Sequence, residues 1–341
     1  MNSKLNVLFL PLGNLFEDWG KDLQTAVSKN HNFIVADCEK PLAPQFENID
    51  VVIDHGGSVG TREMADLAAA GQVQLWQILG TGFDHFDLEY FNKITKGGLP
   101  NKTLNIALAG TGVGKSLFMC HVASACLSQN QNVLYITLEM AEERIAERID
   151  ANLMNISMED LHDLPKQMFD DKIAKIIKST SGKLIVKEYP TASAHSAHFR
   201  GLIKELAIKK SFKPDIIFID YLNICASSRF KGATNVNSYM YVKAIAEELR
   251  GLAVETNVPI MSATQTTRSG FVSSDVGLED TSESFGLPAT ADFMFALISN
   301  EELDELNQMA VKQLKNRYND PTVNKRFVVG IDRAKMRLFD V

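Results

Sequence analysis

The feature that most constrains the fold of this sequence is an apolar run that leads into a glycine-rich turn. Leu104–Leu108 has the composition of a buried strand, and Gly-Thr-Gly-Val-Gly-Lys-Ser follows at positions 110–116. A segment with helical periodicity, 114–127, comes next. A strand, a turn ending in Gly-Lys-Ser and a helix together form a phosphate-binding loop. The pattern predicts an α/β domain with a mostly parallel sheet.

Each residue type in this loop has a physical role. Glycines let backbone N–H groups curl around phosphate oxygens, and the positive end of the helix dipole faces them. Lys115 is expected to reach the β- and γ-phosphates of ATP or another NTP. Ala109 departs from the strict pattern, which has glycine at this position. The predicted nucleotide-binding residues are Gly110, Thr111, Gly112, Val113, Gly114, Lys115, Ser116 and Asp220.

Two other apolar runs are followed by carboxylates. Asp220 directly follows Ile216–Ile219, and ligands bind at the carboxyl edge of an open α/β sheet. We therefore predict that Asp220 and the Ser116 hydroxyl hold Mg²⁺, directly or through water. Glu139 follows the run Val133–Thr137. It can polarise the attacking water if its strand lies beside the phosphate-binding loop.

Apolar runs alternate with segments of helical periodicity along the whole chain, which predicts right-handed crossovers between parallel strands. A polar, basic stretch rich in turn residues separates two regions. We predict one domain over residues 1–91, a linker over 92–102 and a second domain over 103–341. The predicted strands are Val7–Leu10, Phe33–Ala36, Val51–Asp54, Leu75–Leu79, Leu104–Leu108, Val133–Thr137, Leu184–Val186, Ile216–Ile219, Ile260–Ala263 and Phe293–Ile298.

The composition narrows the possible classes of protein. No apolar run reaches the roughly 18 residues needed to cross a bilayer, and the amino terminus lacks a signal-peptide pattern. The four cysteines have no metal-binding spacing, and we interpret them as buried, reduced thiols. These features predict a cytoplasmic protein without membrane contact.

Charge is distributed unevenly between the two regions. Residues 1–91 carry five basic and thirteen acidic side chains, whereas residues 92–341 carry 30 basic and 29 acidic ones. Only the second region can face a polyanion without general repulsion. Because this region is close to neutral, contact with nucleic acid is expected to be local, at a loop or a channel.

Short motifs after the phosphate-binding loop resemble those of DnaB-type hexameric replicative helicases. Thr137–Met140 is similar to the family's Ser-Leu-Glu-Met element, and Ile219–Leu222 to its Walker B strand. Segments 262–265, 282–292 and 312–317 also match in order and spacing. Within the family the likeness is strongest to T-even-type phage helicases, through residues 96–98, 140–143, 148–152, 243–250 and 286–292.

The resemblance implies a RecA-like P-loop NTPase domain that moves on single-stranded DNA as a homo-hexamer. In the family pattern Glu139 is the catalytic base and Gln265 senses the γ-phosphate. Lys315 and Arg317 reach the nucleotide of the neighbouring subunit, as an arginine finger does. The resemblance also implies primase or a helicase loader as partners, and the cytoplasm of an infected host if the gene belongs to a phage.

Two loops after nucleotide-sensing strands are candidates for contact with DNA. Residues 227–235 follow the Walker B strand, and residues 266–271 follow Gln265. Arg229, Lys231 and Arg268 are expected to grip the phosphates of a single strand.

Residues 5–91 resemble a different family, the D-2-hydroxyacid dehydrogenases, at the start of their substrate domain. The resemblance rests on the segments 50–57 and 75–89 and implies a small flavodoxin-like α/β domain. It stops at Phe91, before the family's dinucleotide-binding domain, and the helicase-like region follows. Without a nicotinamide site there is no cofactor to exchange hydride with, so dehydrogenase activity is not expected. The helicase family's own amino-terminal domain and linker helix are likewise not recognised in this region.

Three alternatives remain open at the level of sequence. The chain can be a DNA-dependent ATPase of the recombinase type, which forms filaments instead of rings. It can be a nucleotide-binding fusion protein whose assembly is impaired by its amino-terminal region. Residues 1–91 can also bind a metabolite on their own.

Overall fold

The computed structural model describes residues 4–11, 20–37, 40–55, 61–79, 88–230, 237–266, 277 and 286–341. These residues form two compact units, one within residues 1–82 and the other within 83–341. No helix in the described ranges is both long enough and apolar enough to cross a membrane.

The first unit is a four-stranded parallel sheet with helices. The strand order is β2-β1-β3-β4, as in flavodoxin-like sheets. Val7 and Phe9 pack on one face of β1, and Leu8 and Leu10 pack on the other, as expected for a strand that is buried on both sides. The elements are β1 (Asn6–Leu10), α1 (Gly20–Val27), β2 (Asn32–Val35), β3 (Val51–His55), α2 (Arg62–Ala70) and β4 (Leu75–Leu79).

The second unit is built on a nine-stranded sheet with the order β13-β12-β11-β10-β5-β9-β8-β6-β7. Its elements are α3 (Glu89–Thr95), β5 (Leu104–Ala109), α4 (Lys115–Ser128), β6 (Val133–Thr137), α5 (Glu142–Met154), α6 (Met158–His162), α7 (Lys166–Ser179), β7 (Leu184–Glu188), α8 (Ser196–Lys210), β8 (Ile216–Asp220), α9 (Ser238–Thr256), β9 (Ile260–Gln265), α10 (Gly286–Thr290), β10 (Phe293–Ile298), α11 (Glu301–Glu305), β11 (Gln308–Asn316), β12 (Arg326–Asp332) and β13 (Arg337–Asp340).

The core of this sheet is parallel, as the sequence predicts. Strands β7, β6, β8, β9, β5 and β10 pair in parallel. Strands β11, β12 and β13 extend the sheet as antiparallel strands and were not predicted from the sequence. Their residues alternate between polar and apolar over short stretches, a weaker signal than the continuous apolar runs of the parallel strands.

Alternating residues of the central strand β5 enter two separate cores. Leu104, Ile106 and Leu108 belong to the cluster that α8 and α9 cover. Ala107 and Ala109 belong to the cluster that contains most of α4. Helix α4 is buried along nearly its whole length, which explains why its sequence is apolar on all sides.

Helix α3 belongs to the core of the second unit. Leu88, Phe91, Ile94 and Leu99 are all buried in the same cluster as α4. The ring of Phe91 lies 5.3 Å from that of Phe118, 5.2 Å from that of Phe295 and 5.3 Å from that of Phe327. Ile94 and Leu99 lie within residues 92–102, which are predicted as a linker, and Leu88 and Phe91 lie within the predicted first domain, yet all four pack in this core. The polar, turn-rich composition of residues 92–102 conceals Ile94 and Leu99.

Replacing Phe91 by alanine should therefore destabilise the second unit. Loss of a fully buried phenylalanine is expected to lower the free energy of unfolding by about 3–5 kcal/mol. Phe339, whose exposed fraction is 48%, is a matched control, and Phe339→Ala should cost clearly less. Denaturant unfolding of the three proteins measures both effects. A loss for Phe91→Ala no larger than a small loss for Phe339→Ala would show that Phe91 does not anchor this core.

Candidate nucleotide-binding site

The glycine-rich loop lies between the carboxyl end of β5 and the amino terminus of α4. Gly112 and Gly114 have φ angles of 80° and 124°, which residues with a Cβ rarely adopt. Gly114 is the residue immediately before α4, so the free N–H groups of the first helical turn point back towards the loop. This is the geometry of an anion-binding turn.

The departure of Ala109 from the strict loop pattern has a structural explanation. Ala109 is the last residue of β5, is fully buried and pairs with Gln265 on β9. It is not among the described residues with positive φ. Because the backbone here is ordinary strand, glycine is not required at this position.

Lys115 is a largely buried cation. Its exposed fraction is 9%, and its Nζ has only a long contact, 3.4 Å, with the carbonyl of Gly110. Within the described ranges no carboxylate forms an ion pair with this ammonium group. Burial lowers the pKa of Lys115, while the nearby charges of Glu139 and Asp220 oppose the shift. A desolvated ammonium group without an ion pair is strongly stabilised when a polyanion arrives.

Asp220 presents a carboxylate with one partnered and one unpartnered oxygen. Its Oδ2 accepts a hydrogen bond of 2.9 Å from the hydroxyl of Tyr135, whereas the buried Oδ1 has no hydrogen-bond partner in the described part of the chain. Burial raises the pKa of Asp220, and contacts with the hydroxyls of Tyr135 and Ser116 oppose the shift. An unsatisfied carboxylate oxygen close to a serine hydroxyl fits Mg²⁺, a hard cation that prefers oxygen ligands.

The described residues contain no cluster of three His, Cys, Asp or Glu side chains that could form a metal cage. This finding agrees with the chemistry of Mg²⁺, which keeps several water ligands and takes others from phosphates.

Glu139 lies near the site although its strand is not a neighbour of β5. Its strand β6 does not lie beside β5, because β9 and β8 lie between them. Glu139 nevertheless lies close enough to Asp220 and Lys115 for their charges to shift its pKa. Burial is the main cause that raises this pKa, Asp220 adds to it, and Lys115 and Arg148 oppose it. The raised pKa means that this carboxylate binds a proton more readily than an ordinary glutamate does.

Gln265 and Lys115 are both close to one tyrosine. The Nε2 of Gln265 donates to the hydroxyl of Tyr221 at 3.1 Å, and the Nζ of Lys115 lies 5.7 Å from the centre of the Tyr221 ring. Tyr221 follows Asp220 directly, at the end of β8. Its ring therefore connects the phosphate-binding loop to the strand end that carries Gln265.

Lys315 and Arg317 lie apart from this cluster, at the opposite edge of the sheet. Arg317 Nη1 donates to Asp292 Oδ1 at 2.8 Å, and Lys315 Nζ donates to the carbonyl of Pro288 at 2.6 Å. Burial and the charge of Arg317 lower the pKa of Lys315. Both cations are therefore held by groups of their own subunit.

Of the three candidate DNA contacts, only Arg229 lies within the described residues. Its guanidinium forms an ion pair with Glu247 of α9. The preceding Ser227 hydroxyl donates to Glu248 at 2.7 Å, so α9 anchors the start of this loop. Lys231 and Arg268 fall outside the described residues.

Three polar residues that contribute to the site were not predicted as site residues from the sequence: Tyr135, Tyr221 and Arg148. Tyr135 is buried in the middle of an apolar strand, where its hydroxyl requires a partner, and this requirement was the available signal. Arg148 affects the pKa of both Asp220 and Glu139 from helix α5. Its position in the sequence gives no sign of this proximity.

The parallel sheet, the loop with its two positive-φ glycines and the carboxylates at the same edge define a P-loop nucleotide-binding domain of the RecA-like class. The family model for the DnaB-like helicase C-terminal domain matches residues 79–328. The chain therefore belongs to the DnaB-like helicase family, and the resemblance inferred from the motifs is confirmed.

Curated relatives agree with this assignment. The DnaB-like replicative helicase of Enterobacteria phage T4 is 47% identical over 259 residues, covering 75% of this chain and 54% of the relative. The replicative DNA helicase DnaB of Helicobacter pylori is 30% identical over 224 residues, covering 64% of this chain and 43% of the relative. This chain thus spans about half the length of the curated relatives that it matches.

Two solved structures share the fold. A DnaB-like replicative helicase studied with its interactions with primase aligns with a TM-score of 0.62 at 17% identity, covering 77% of this chain and 64% of that one. A second structure, of an ATPase domain, gives the same score and identity, covering 74% of this chain and 89% of that one. The expected RecA-like architecture is confirmed.

Glu139→Gln should separate nucleotide binding from hydrolysis. The amide can still orient a water molecule, but it cannot accept the proton, so turnover should fall by about 10²–10⁴-fold with little change in ATP affinity. Fluorescent-nucleotide titration and phosphate release measure the two quantities. Lys115→Ala is the contrasting variant and should lose binding as well. A Glu139→Gln protein that loses binding as severely as Lys115→Ala would assign Glu139 a structural role.

Proposed function

We propose that this chain is the motor of a replicative DNA helicase, which couples the hydrolysis of ATP or another NTP to movement along single-stranded DNA. One observation carries the proposal. A buried ammonium group without an ion pair in the described ranges, a serine hydroxyl and a carboxylate with an unpartnered oxygen converge at one sheet edge in a member of the DnaB-like family.

The geometry supports the following proposed roles. Lys115 and the loop N–H groups bind the phosphates, and Ser116 and Asp220 hold Mg²⁺. The metal neutralises phosphate charge when it is bound. Glu139 accepts the proton of the attacking water, aided by its raised pKa. Tyr221 holds Gln265 close to Lys115, so a change at the γ-phosphate can be relayed to the segment after β9.

Arg317 cannot serve the nucleotide of its own subunit in this conformation. It is bonded to Asp292, whose carboxylate contacts the N–H of Leu104 at the start of β5. The phosphate-binding loop lies beyond the other end of β5, roughly 16 Å away at the strand rise of about 3.3 Å per residue. This separation exceeds the length of an arginine side chain. We therefore assign Arg317 and Lys315 to the nucleotide of a neighbouring subunit.

A site completed by the neighbour requires a head-to-tail assembly, which closes into a ring when the rotation permits. We propose a homo-hexamer, as the family resemblance implies. The recombinase-type alternative forms filaments from the same kind of contact. Electron microscopy with single-stranded DNA and a non-hydrolysable nucleotide distinguishes closed rings from filaments.

The DNA path is proposed to pass the loops that carry Arg229, Lys231 and Arg268. Arg229 is paired with Glu247 in the free subunit, so DNA phosphates would compete with this carboxylate. Primase or a helicase loader is the proposed protein partner, and the host cytoplasm is the proposed location. Residues 1–91 are proposed to contribute no hydride transfer. An NADH absorbance assay with several 2-keto acids tests that expectation.

Hydrolysis should depend on assembly through Arg317. Turnover per subunit is expected to rise with protein concentration and with single-stranded DNA, and added salt should weaken the DNA effect because phosphate contacts release counterions. Arg317→Ala should lower kcat by about 10³-fold or more, the scale of an arginine finger. Steady-state phosphate release across protein concentrations provides the measurement.

Arg333→Ala is the matched control for Arg317→Ala. Arg333 is similarly exposed and pairs with Asp304 at 2.7 Å, away from Asp292. This variant should keep wild-type turnover. A rate per subunit that is independent of concentration, together with an active Arg317→Ala protein, would refute the assignment to a neighbouring site.

A further inference from the structure

A single carboxylate, Asp292, holds two arginines at the edge of the sheet opposite the phosphate-binding loop. Arg250 of α9 and Arg317, just after β11, both donate to it. The Asp292 side chain is only 5% exposed, whereas those of Arg250 and Arg317 are 38% and 46% exposed. The carboxylate is therefore an inner anchor, and the two guanidinium groups extend from it towards the surface.

The position of Asp292 is fixed by the central strand. Its Oδ2 accepts from the N–H of Leu104 at 3.0 Å, and its own N–H donates to the carbonyl of Leu104 at 2.8 Å. Leu104 is the first residue of β5, whose other end leads into the phosphate-binding loop. The anchor is thus part of the same rigid sheet that holds the subunit's own nucleotide site.

The two arginines are held unequally. Arg250 forms a fork, with Nε 3.0 Å from Oδ2 and Nη2 3.0 Å from Oδ1. Arg317 uses Nη1 alone on the carboxylate, and its Nη2 makes a longer contact of 3.3 Å with the carbonyl of Ala289. A bidentate pair is stronger and more directional than a single bond. Arg250 therefore orients the carboxylate, and the carboxylate in turn directs Arg317.

The charges around this anchor do not balance. Two guanidinium groups and the ammonium of Lys315 surround one carboxylate, and burial with the charge of Arg317 lowers the pKa of Lys315. A cavity of about 280 Å³ opens beside the group and is lined by Arg250, Arg317 and Glu247, among others. The Glu247 carboxylate is itself paired with Arg229. The excess positive charge suits an incoming polyanion.

A purely structural role would not need Arg317. Asp292 is already paired with Arg250 and hydrogen-bonded to the N–H of Leu104, and these partners satisfy a buried carboxylate. The third donor, Arg317, adds a second cation to an anion that is already neutralised. The contact with Asp292 therefore fixes the direction of the Arg317 guanidinium while leaving its positive charge uncompensated.

We propose that Asp292, oriented by Arg250, is the positioning residue that aims Arg317 at the phosphates of the neighbouring subunit's nucleotide. The proposal rests on the proposed function of Arg317 as a trans-acting cation. It extends that function by naming Asp292 and Arg250 of the donor subunit as the residues that set the direction of Arg317.

A mixing experiment tests the proposal in assembled protein. Lys115→Ala subunits cannot use their own site but can donate Arg317, and Arg317→Ala subunits keep an intact loop but lack the donor. A mixture should turn over ATP faster than either variant alone. Donors that carry both Lys115→Ala and Asp292→Asn should restore kcat at least about tenfold less well, as expected from the loss of a charge-assisted hydrogen bond. The KM for ATP, set by the acceptor's own loop, should not change.

A second donor variant tests the proposal even if the Asp292→Asn protein does not fold. Lys115→Ala with Arg250→Lys keeps the charge but loses the fork, and it should restore less activity than Lys115→Ala alone. Thermal unfolding of each donor, and its incorporation into the assembly, are measured in parallel. The donor's own nucleotide site is already inactive. A defect in that site therefore cannot be mistaken for a wrongly positioned Arg317.

The outcomes separate the two ideas. If Lys115→Ala donors restore nothing, the trans-acting role fails, and the positioning proposal fails with it. If these donors restore activity but folded donors with Asp292→Asn or Arg250→Lys restore it equally well, the trans-acting role stands and the positioning proposal is overturned.

Discussion

The burial of one ammonium group is the constraint on which the rest of the nucleotide site depends. Lys115 lies at the start of a helix that is buried along nearly its whole length, with no ion pair within the described ranges. Desolvating an unpaired charge has a high free-energy cost. The apolar packing of β5 and α4 offsets this cost. The site is therefore preorganised for phosphate, because most of the lysine's water has already been removed.

In the proposed function, the same sheet keeps two kinds of nucleotide contact apart. The carboxyl edge of β5 carries the loop, while its amino end is bonded to Asp292, the anchor of Arg317. If the proposed assembly forms, each subunit presents its own site at one edge of the sheet and its contribution to the next site at the other. A rigid strand between them keeps their separation constant, which suits a ring in which each site is completed by a neighbour.

Helix α9 connects this arrangement to the candidate DNA loop. Glu247 pairs with Arg229, Glu248 accepts from Ser227, and Arg250 grips Asp292. Three polar side chains within one turn of the helix thus bind the start of the loop and Asp292, the carboxylate that holds Arg317. The apolar side of α9 packs in the core with β5 and β9. Because this core is closely packed, a displacement at the start of the loop would strain α9.

The sequence by itself determined the parallel strands, the phosphate-binding loop, the carboxylates at the strand ends and the family, because these signals lie in short continuous segments. Only the tertiary structure decided which distant residues meet. Phe91 joins Phe295 and Phe327, Tyr221 meets Lys115 and Gln265, and Asp292 holds Arg250 and Arg317. It also placed β6 beside β8 and not beside β5. The physical reason is that such pairings depend on strand order and helix packing, which local periodicity does not encode.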